Sequence, residues 1–108
     1  MKYRLQLSDE ASEILFTTAR WYAETSQSLD VAVNWYDGFL DALRTLEQNP
    51  LRGCLAPENE LFDFELRELH YGSGKRTTHR ALYRMAGNRV EVLSIRHHAQ
   101  RPLRRGDL

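Results

Sequence analysis

The residues best suited to chemistry are arginines and histidines in the C-terminal part of the chain. Arg67, Arg80, Arg84 and Arg96 fall on segments that read as neighbouring strands, and Arg84 extends the face that carries Arg80. A guanidinium group can pair with two phosphate oxygens at once, so several of them on one sheet could hold an RNA backbone without reading its bases. These four arginines are therefore candidates for contacting a phosphate backbone.

The same arginines have a structural alternative. Residues 1–65 carry 5 basic and 12 acidic side chains, and the remainder carries 10 basic and 3 acidic ones, so the two parts have net charges of −7 and +7. Arg67 and Arg80 could pair with Glu65, Glu68 or a loop carboxylate instead of a ligand. The charge asymmetry predicts a basic working surface in the C-terminal part, and it leaves phosphate binding and internal ion pairing both open.

The histidines suggest proton transfer. His97 and His98 directly follow the last predicted strand, and an imidazole can give or take a proton near neutral pH, which RNA cleavage without a metal requires. The alternative is that one of them caps the strand end while the other is solvated. His70 and His79 are predicted to be structural, His79 because it alternates with core residues.

No metal site or cofactor is predicted. No two histidines have the helical spacing of zinc enzymes, and the adjacent His97 and His98 should point to opposite faces of a strand. The single Cys54 cannot form a disulfide within the chain, and it is expected to be an inert thiol in a reducing compartment.

The elements that must position these residues follow from the hydrophobic periods. An alternating start, two amphipathic stretches and three later alternating segments predict this order: a strand over 2–7, a helix over 9–25, a second helix that ends before Pro50, a loop over 51–63 with one helical turn in 57–61, and strands over 66–70, 78–85 and 89–96. A connection of about four residues makes the two helices an antiparallel hairpin.

These elements predict an α+β fold in which an N-terminal strand and a helical hairpin pack on a small twisted sheet, completed by a three-stranded antiparallel meander. In its middle strand His79, Ala81, Tyr83 and Met85 should face the helices, and the other face should be basic. Pro102 should end regular pairing and leave a cationic tail. With 108 residues, the chain is expected to be one domain over residues 1–108.

Composition limits the setting. The formal net charge of the whole chain is zero, which taken as a total argues against a nucleic-acid binder and against a disordered acidic tail. No apolar run has the length of a signal peptide or a membrane span, so a cytoplasmic protein without a membrane partner is expected.

The order of elements and several motifs resemble the RelE/ParE superfamily of toxins from type II toxin-antitoxin modules, particularly its ParE-like plasmid-stabilisation branch. The segment 79–84 looks like the Tyr-Arg-x-x-Tyr strand of that superfamily. The resemblance covers nearly the whole chain and rests on these segments: Ala42-Leu43-Arg44-Thr45-Leu46, Asn49-Pro50-Leu51-Arg52-Gly53, Leu66-Arg67-Glu68-Leu69, His79-Arg80-Ala81-Leu82-Tyr83-Arg84 and Ser94-Ile95-Arg96-His97.

The resemblance implies a toxin with a cognate antitoxin as partner in a hetero-oligomer. RelE-like members cleave mRNA on the ribosome, which implies Arg80 as a catalytic residue orienting the scissile phosphate; in such an enzyme His97 or His98 would move protons. ParE-like relatives are associated with inhibition of DNA gyrase. RelE-like nucleases carry basic and tyrosine residues where this chain has residues 97–100, so both activities stay open, as does an inactive antitoxin-binding module. The partner segment is expected to be acidic or amphipathic and to fold across the hairpin and the basic face.

Overall fold

A computed structural model describes residues 2–108, and the predicted α+β class is confirmed. No helix within that range is long and apolar enough to cross a membrane. The loop predicted over 51–63 contains a two-residue strand, too short for any periodicity to reveal. The elements are β1 (Arg4–Leu7), α1 (Asp9–Ser26), α2 (Leu29–Arg44), a 3-10 turn (Thr45–Glu47), β2 (Cys54–Leu55), a second 3-10 turn (Asn59–Leu61), β3 (Arg67–Tyr71), β4 (His79–Ala86) and β5 (Arg89–His97).

Serine side chains begin both helices. Ser8 Oγ accepts the N–H of Ala11 at 3.0 Å, and Ser28 Oγ accepts the N–H of Val31 at 3.4 Å, so each satisfies a backbone donor that the first turn leaves free. The connection between the helices is shorter than predicted, because Gln27 adopts a left-handed conformation (φ 54°) that turns the chain at once. Only Gln27 and Ser28 separate α1 from α2.

The five strands form one mixed sheet in the order β1-β5-β4-β3-β2. β1 runs parallel to β5, and the other neighbours are antiparallel, which confirms the predicted meander. Glu47 covers the outer edge of β1: its carbonyl accepts the N–H of Tyr3 at 2.8 Å and its Oε2 accepts the N–H of Leu5 at 3.2 Å. One edge of the sheet is thereby closed to further strand pairing.

A bulge interrupts the pairing of β4 with β5. The register passes from Leu82 opposite Ser94 to Tyr83 opposite Val92, so Leu93 is an extra residue in β5. An extra residue reverses which face the following side chains occupy. The bulge therefore decides how the C-terminal end of β5 presents its histidines.

The main core lies between the helical hairpin and one face of the sheet. Trp35, Phe39 and Leu43 of α2 are fully buried against strand residues such as Tyr83 and Val92. The predicted inward side of β4 is confirmed, because His79, Ala81 and Tyr83 are all buried.

The opposite face of the sheet is not the basic surface that the alternation predicted. Leu82 is fully buried there, under Ala56, Leu66 and Leu103, with Phe62, Phe64 and Leu93 packed around them. This apolar residue is covered because two segments fold over it: the loop before β3 (residues 56–66) and the C-terminal segment after β5 (residues 98–108). The C-terminal segment is correspondingly folded and is not a free cationic tail.

Candidate functional site

The three candidate catalytic residues meet at one end of the sheet. Arg80, His97 and His98 line a cleft of about 520 Å³ whose other walls come from the loop before β3 and the C-terminal segment. The bulge at Leu93 contributes to this arrangement, since it places His97 on the face of the helices with the buried Ile95. The histidine rings confirm that His97 and His98 point to opposite faces, because they contact different partners.

Arg80 is held by two carboxylates inside the chain. Its Nη1 donates to Glu58 Oε1 at 2.8 Å and to Glu68 Oε1 at 3.0 Å, and its Nη2 donates to Glu58 Oε2. The side chains of Arg80, Glu58 and Glu68 are only 12%, 6% and 7% exposed. This is the ion-pairing alternative that the charge distribution had left open.

The electrostatics of this cluster follow from its hydrogen bonds. The Arg80 guanidinium, together with the N–H that Leu103 donates at 2.9 Å, holds the pKa of Glu58 at about 2, although burial opposes the shift. The same contact with Glu58 raises the pKa of Arg80. One guanidinium faces two carboxylates, so the charge of Arg80 is already balanced inside the chain.

His97 is fixed by its own turn. Its Nδ1 accepts the N–H of Ala99 at 2.9 Å, so the neutral ring carries its proton on Nε2. The ring meets His79 edge to face, with 5.0 Å between centroids. His79 is buried against Trp35 and Phe39, and this burial, helped by the nearby His97 and His98, lowers its pKa to about 4. His79 is therefore a neutral core residue at neutral pH.

His98 belongs to a second histidine pair, on the face away from the helices. Its ring lies 5.1 Å from that of His70, and its Nε2 is 3.1 Å from Thr77 Oγ1. Burial, followed by the charge of His70, lowers the pKa of His98. His70 Nε2 in turn lies 3.1 Å from Glu68 Oε2, which connects this pair to the Arg80 cluster.

Arg67 does not share a face with Arg80. It alternates with Leu69 and Tyr71 on the helix side of β3, and it lies opposite Tyr83. Its Nη1 contacts Glu65 at 2.7 Å and its Nη2 donates to the carbonyl of Gly53 at 2.7 Å, and the contact with Glu65 raises its pKa. Arg67 and Arg80 therefore cannot contact one phosphate together.

Arg84 and Arg96 share the outer face with Arg80 but are engaged elsewhere. Arg84 Nε donates to Glu91 at 2.8 Å, and its guanidinium lies 4.9 Å from the centre of the Phe64 ring. Arg96 lies opposite Arg80 in the β4–β5 register and donates to the carbonyl of Arg101 at 2.6 Å. The outer-face arginines thus stabilise the fold of the loop and the C-terminal segment.

Glu58 is a residue of this site that the sequence did not identify by number, although a loop carboxylate was one of the partners left open for Arg80. Its only signal was its place in the acid-rich loop before β3, because nothing in a one-dimensional pattern brings a loop carboxylate to Arg80. Within residues 2–108, no three His, Cys, Asp or Glu side chains are close enough together to hold a metal ion.

A second surface feature is an apolar groove on the outer side of the helical hairpin. It has a volume of about 480 Å³, and its most exposed apolar side chains are Phe16 (63%), Leu29 (72%) and Val33 (44%). The hairpin, over residues 9–47, carries eight carboxylates and only Arg20 and Arg44 as cations. We call this feature the hairpin groove.

A helical hairpin on one face of a five-stranded mixed sheet is the α+β architecture of the RelE/ParE-like toxins. The family model described as the ParE toxin of the type II toxin-antitoxin system, parDE, matches residues 5–102. The chain therefore belongs to the ParE toxin family, which confirms the resemblance.

Comparison with solved structures supports the same fold. The chromosomal ParDE toxin-antitoxin system from P. aeruginosa is similar with a TM-score of 0.70, over 89% of this chain and 96% of that chain, at 18% sequence identity. At this identity the likeness concerns the fold alone. A comparison with curated proteins found no match.

Proposed function

We propose that this ParE-family toxin inhibits growth by binding DNA gyrase and not by cutting RNA. The observation that carries the proposal is the pairing of Arg80 with Glu58 and Glu68. A nuclease would need that guanidinium to balance charge developing on a scissile phosphate. Here its charge is balanced by two buried carboxylates, and a phosphate would have to displace one of them.

Ribosome-dependent mRNA cleavage remains the second candidate, because one observation favours it. Arg80, His97 and His98 line the same cleft, and His97 Nε2 could donate a proton to a leaving oxygen. The two candidate functions differ in whether toxicity depends on His97 and His98. Only the nuclease needs them for toxicity.

The deciding experiment compares the wild-type toxin with the double variant His97→Ala/His98→Ala, both expressed from a controlled promoter. We expect both proteins to arrest growth, to inhibit supercoiling by purified gyrase and to leave mRNA on ribosomes intact. Cleavage of ribosome-bound mRNA by the wild type but not by the double variant would overturn the gyrase proposal in favour of the nuclease. A folding control is the circular dichroism spectrum of each protein.

The antitoxin of this toxin is proposed to dock in the hairpin groove. An apolar groove on an acidic helical surface fits an amphipathic helix whose apolar face is flanked by lysines or arginines. Val33→Asp should weaken binding of the product of the adjacent gene at least tenfold without changing thermal stability, since Val33 is exposed. The matched control is Asn34→Asp, which adds the same charge at the next residue of α2, another exposed position.

A further inference from the structure

The basic residues of the C-terminal part divide into those neutralised inside the chain and those that are not. Ion pairs hold Arg67, Arg80, Arg84, Arg89 and Arg101. Among residues 2–108, no ion pair includes Lys75, Arg76, Arg96, Arg104 or Arg105. Arg96 is half-buried and donates to the carbonyl of Arg101, whereas the other four side chains are exposed. In the C-terminal part, the exposed cations without an ion pair therefore lie on two short segments.

The two segments have different surroundings. Arg104 and Arg105 lie on a turn in which Asp107 accepts the N–H of Arg104 at 2.7 Å, and Arg105 shares a hollow with Glu60 and Asp63. Carboxylates near this turn reduce its attraction for an anion. The C-terminal turn is thus the weaker of the two candidates.

The loop between β3 and β4 carries Lys75 and Arg76, and among residues 2–108 neither cation is in an ion pair. Residues 73–77, Ser-Gly-Lys-Arg-Thr, are all exposed, and a Cβ added at Gly74 would touch nothing within 4 Å. Thr77 lies beside His98, whose ring is 5.1 Å from that of His70, so two imidazoles border the loop. Glu68, a carboxylate of β3 on the same face as His70, is already engaged by Arg80 and His70.

We infer that the β3–β4 loop, through Lys75 and Arg76, binds the phosphate backbone of duplex DNA. Adjacent cations, hydroxyl groups and an unobstructed glycine backbone are the groups that contact phosphates without reading bases. The choice of duplex DNA as the ligand rests on the proposed function, since gyrase acts on DNA and a toxin bound to gyrase would lie close to that DNA. An acidic protein surface is the competing ligand.

The test measures binding of the full chain to a fluorescent duplex DNA by anisotropy at several salt concentrations. Loss of two phosphate contacts in Lys75→Gln/Arg76→Gln should reduce the slope of log K against log salt by about 2. The control Arg104→Gln/Arg105→Gln removes the same charge from the C-terminal turn and should keep the wild-type slope. All substituted side chains are exposed, so the variants should fold.

Three outcomes would overturn the inference: wild-type protein that does not bind the duplex, equal losses in both double variants, or equally tight binding of poly-glutamate through the same loop. Supercoiling inhibition is measured separately on the same proteins. Gyrase inhibition without DNA binding would refute the loop inference alone, and DNA binding without gyrase inhibition would refute the proposed function alone.

Discussion

Arg80 and Glu58 are 22 residues apart in sequence, and the guanidinium of Arg80 donates to both carboxylate oxygens of Glu58. Glu58 also accepts the N–H of Leu103, which lies 45 residues further along the chain. One buried carboxylate therefore joins β4, the loop before β3 and the C-terminal segment. The loop and the segment it holds cover Leu82 on the outer face of the sheet.

Replacing Glu58 by glutamine should lower the free energy of unfolding by roughly 2 kcal/mol, because a neutral amide cannot replace charged hydrogen bonds to a buried guanidinium. Urea unfolding at pH 7 measures this. Glu60→Gln is the matched control, since Glu60 is exposed two residues away. Equal stability of the two variants would contradict the role given to Glu58.

Because the pKa of Glu58 is low in the folded protein, its contribution to the free energy of unfolding depends on pH. Its folded-state pKa of about 2 lies below the ordinary 4.5, so the contribution is complete above pH 4.5 and is lost as the pH falls towards 2. The full effect is at most about 3 kcal/mol. Acid titration of unfolding should therefore be flatter in Glu58→Gln than in the wild type over this range.

His79 should make the stability of the fold depend on pH in a second, higher range. Its folded-state pKa of about 4 lies below the ordinary 6.5, so the unfolded chain binds the proton first and stability falls as the pH drops from 6.5 towards 4. Between pH 7 and pH 5 the loss should be about 2 kcal/mol. Thermal denaturation at the two pH values measures it, with His79→Leu expected to remove most of the difference. If the exposed His70→Gln removed it instead, the assignment to His79 would be wrong.

Gly53 is a position where a methyl group does not fit. An added Cβ would lie 2.4 Å from the carbonyl oxygen of Glu68 and 2.5 Å from Tyr83 Oη, and that hydroxyl is fixed because it accepts the N–H of Gly53 and donates to Pro50. Gly53→Ala should cost about 1–3 kcal/mol in unfolding free energy. Gly74→Ala, in open space, should change stability by less than about 0.5 kcal/mol. If Gly53→Ala left the unfolding free energy unchanged, the backbone around Gly53 would be free to move away from Tyr83 and Glu68, contrary to this prediction.

Ser8 has two roles, and its replacement should show both. Its Oγ accepts the N–H of Ala11, and it donates to the carbonyl of Leu93 at 2.9 Å. Ser8→Ala should cost about 2 kcal/mol, one part for the helix cap and one for the carbonyl at the bulge. Ser28→Ala removes only a cap and should cost about half as much. Similar losses for the two variants, measured by urea unfolding, would argue against the second contact.

Much of the fold could be predicted because its signals are local. The alternation around Tyr83 and the apolar stripe through Trp35 and Phe39 report directly which faces are buried. Serine before a run of acidic and apolar residues identifies a helix start in the same local way. These signals also carried the resemblance to the toxin family.

The candidate site was harder to predict, because it depends on contacts between distant residues. The sequence suggested that Arg80 could pair with a carboxylate, but the choice between Glu58 and a phosphate depends on how the loop before β3 folds. Arg67 was expected to work beside Arg80, and the two lie on opposite faces because the alternation of β3 runs through Leu69 and Tyr71. Free and neutralised cations cannot be distinguished by counting charges.

The bulge at Leu93 also affects how relatives of this chain should be compared. In a homologue that lacks the extra residue, the side chain that an ungapped alignment matches with Arg96 would lie where this chain presents His97, opposite position 79. Alignments that match the C-terminal histidines by position alone would then equate residues on opposite sides of the sheet. Superposition on the buried Val92 and Ile95 gives the sounder correspondence, and it is the basis on which natural variation at the cleft should be read.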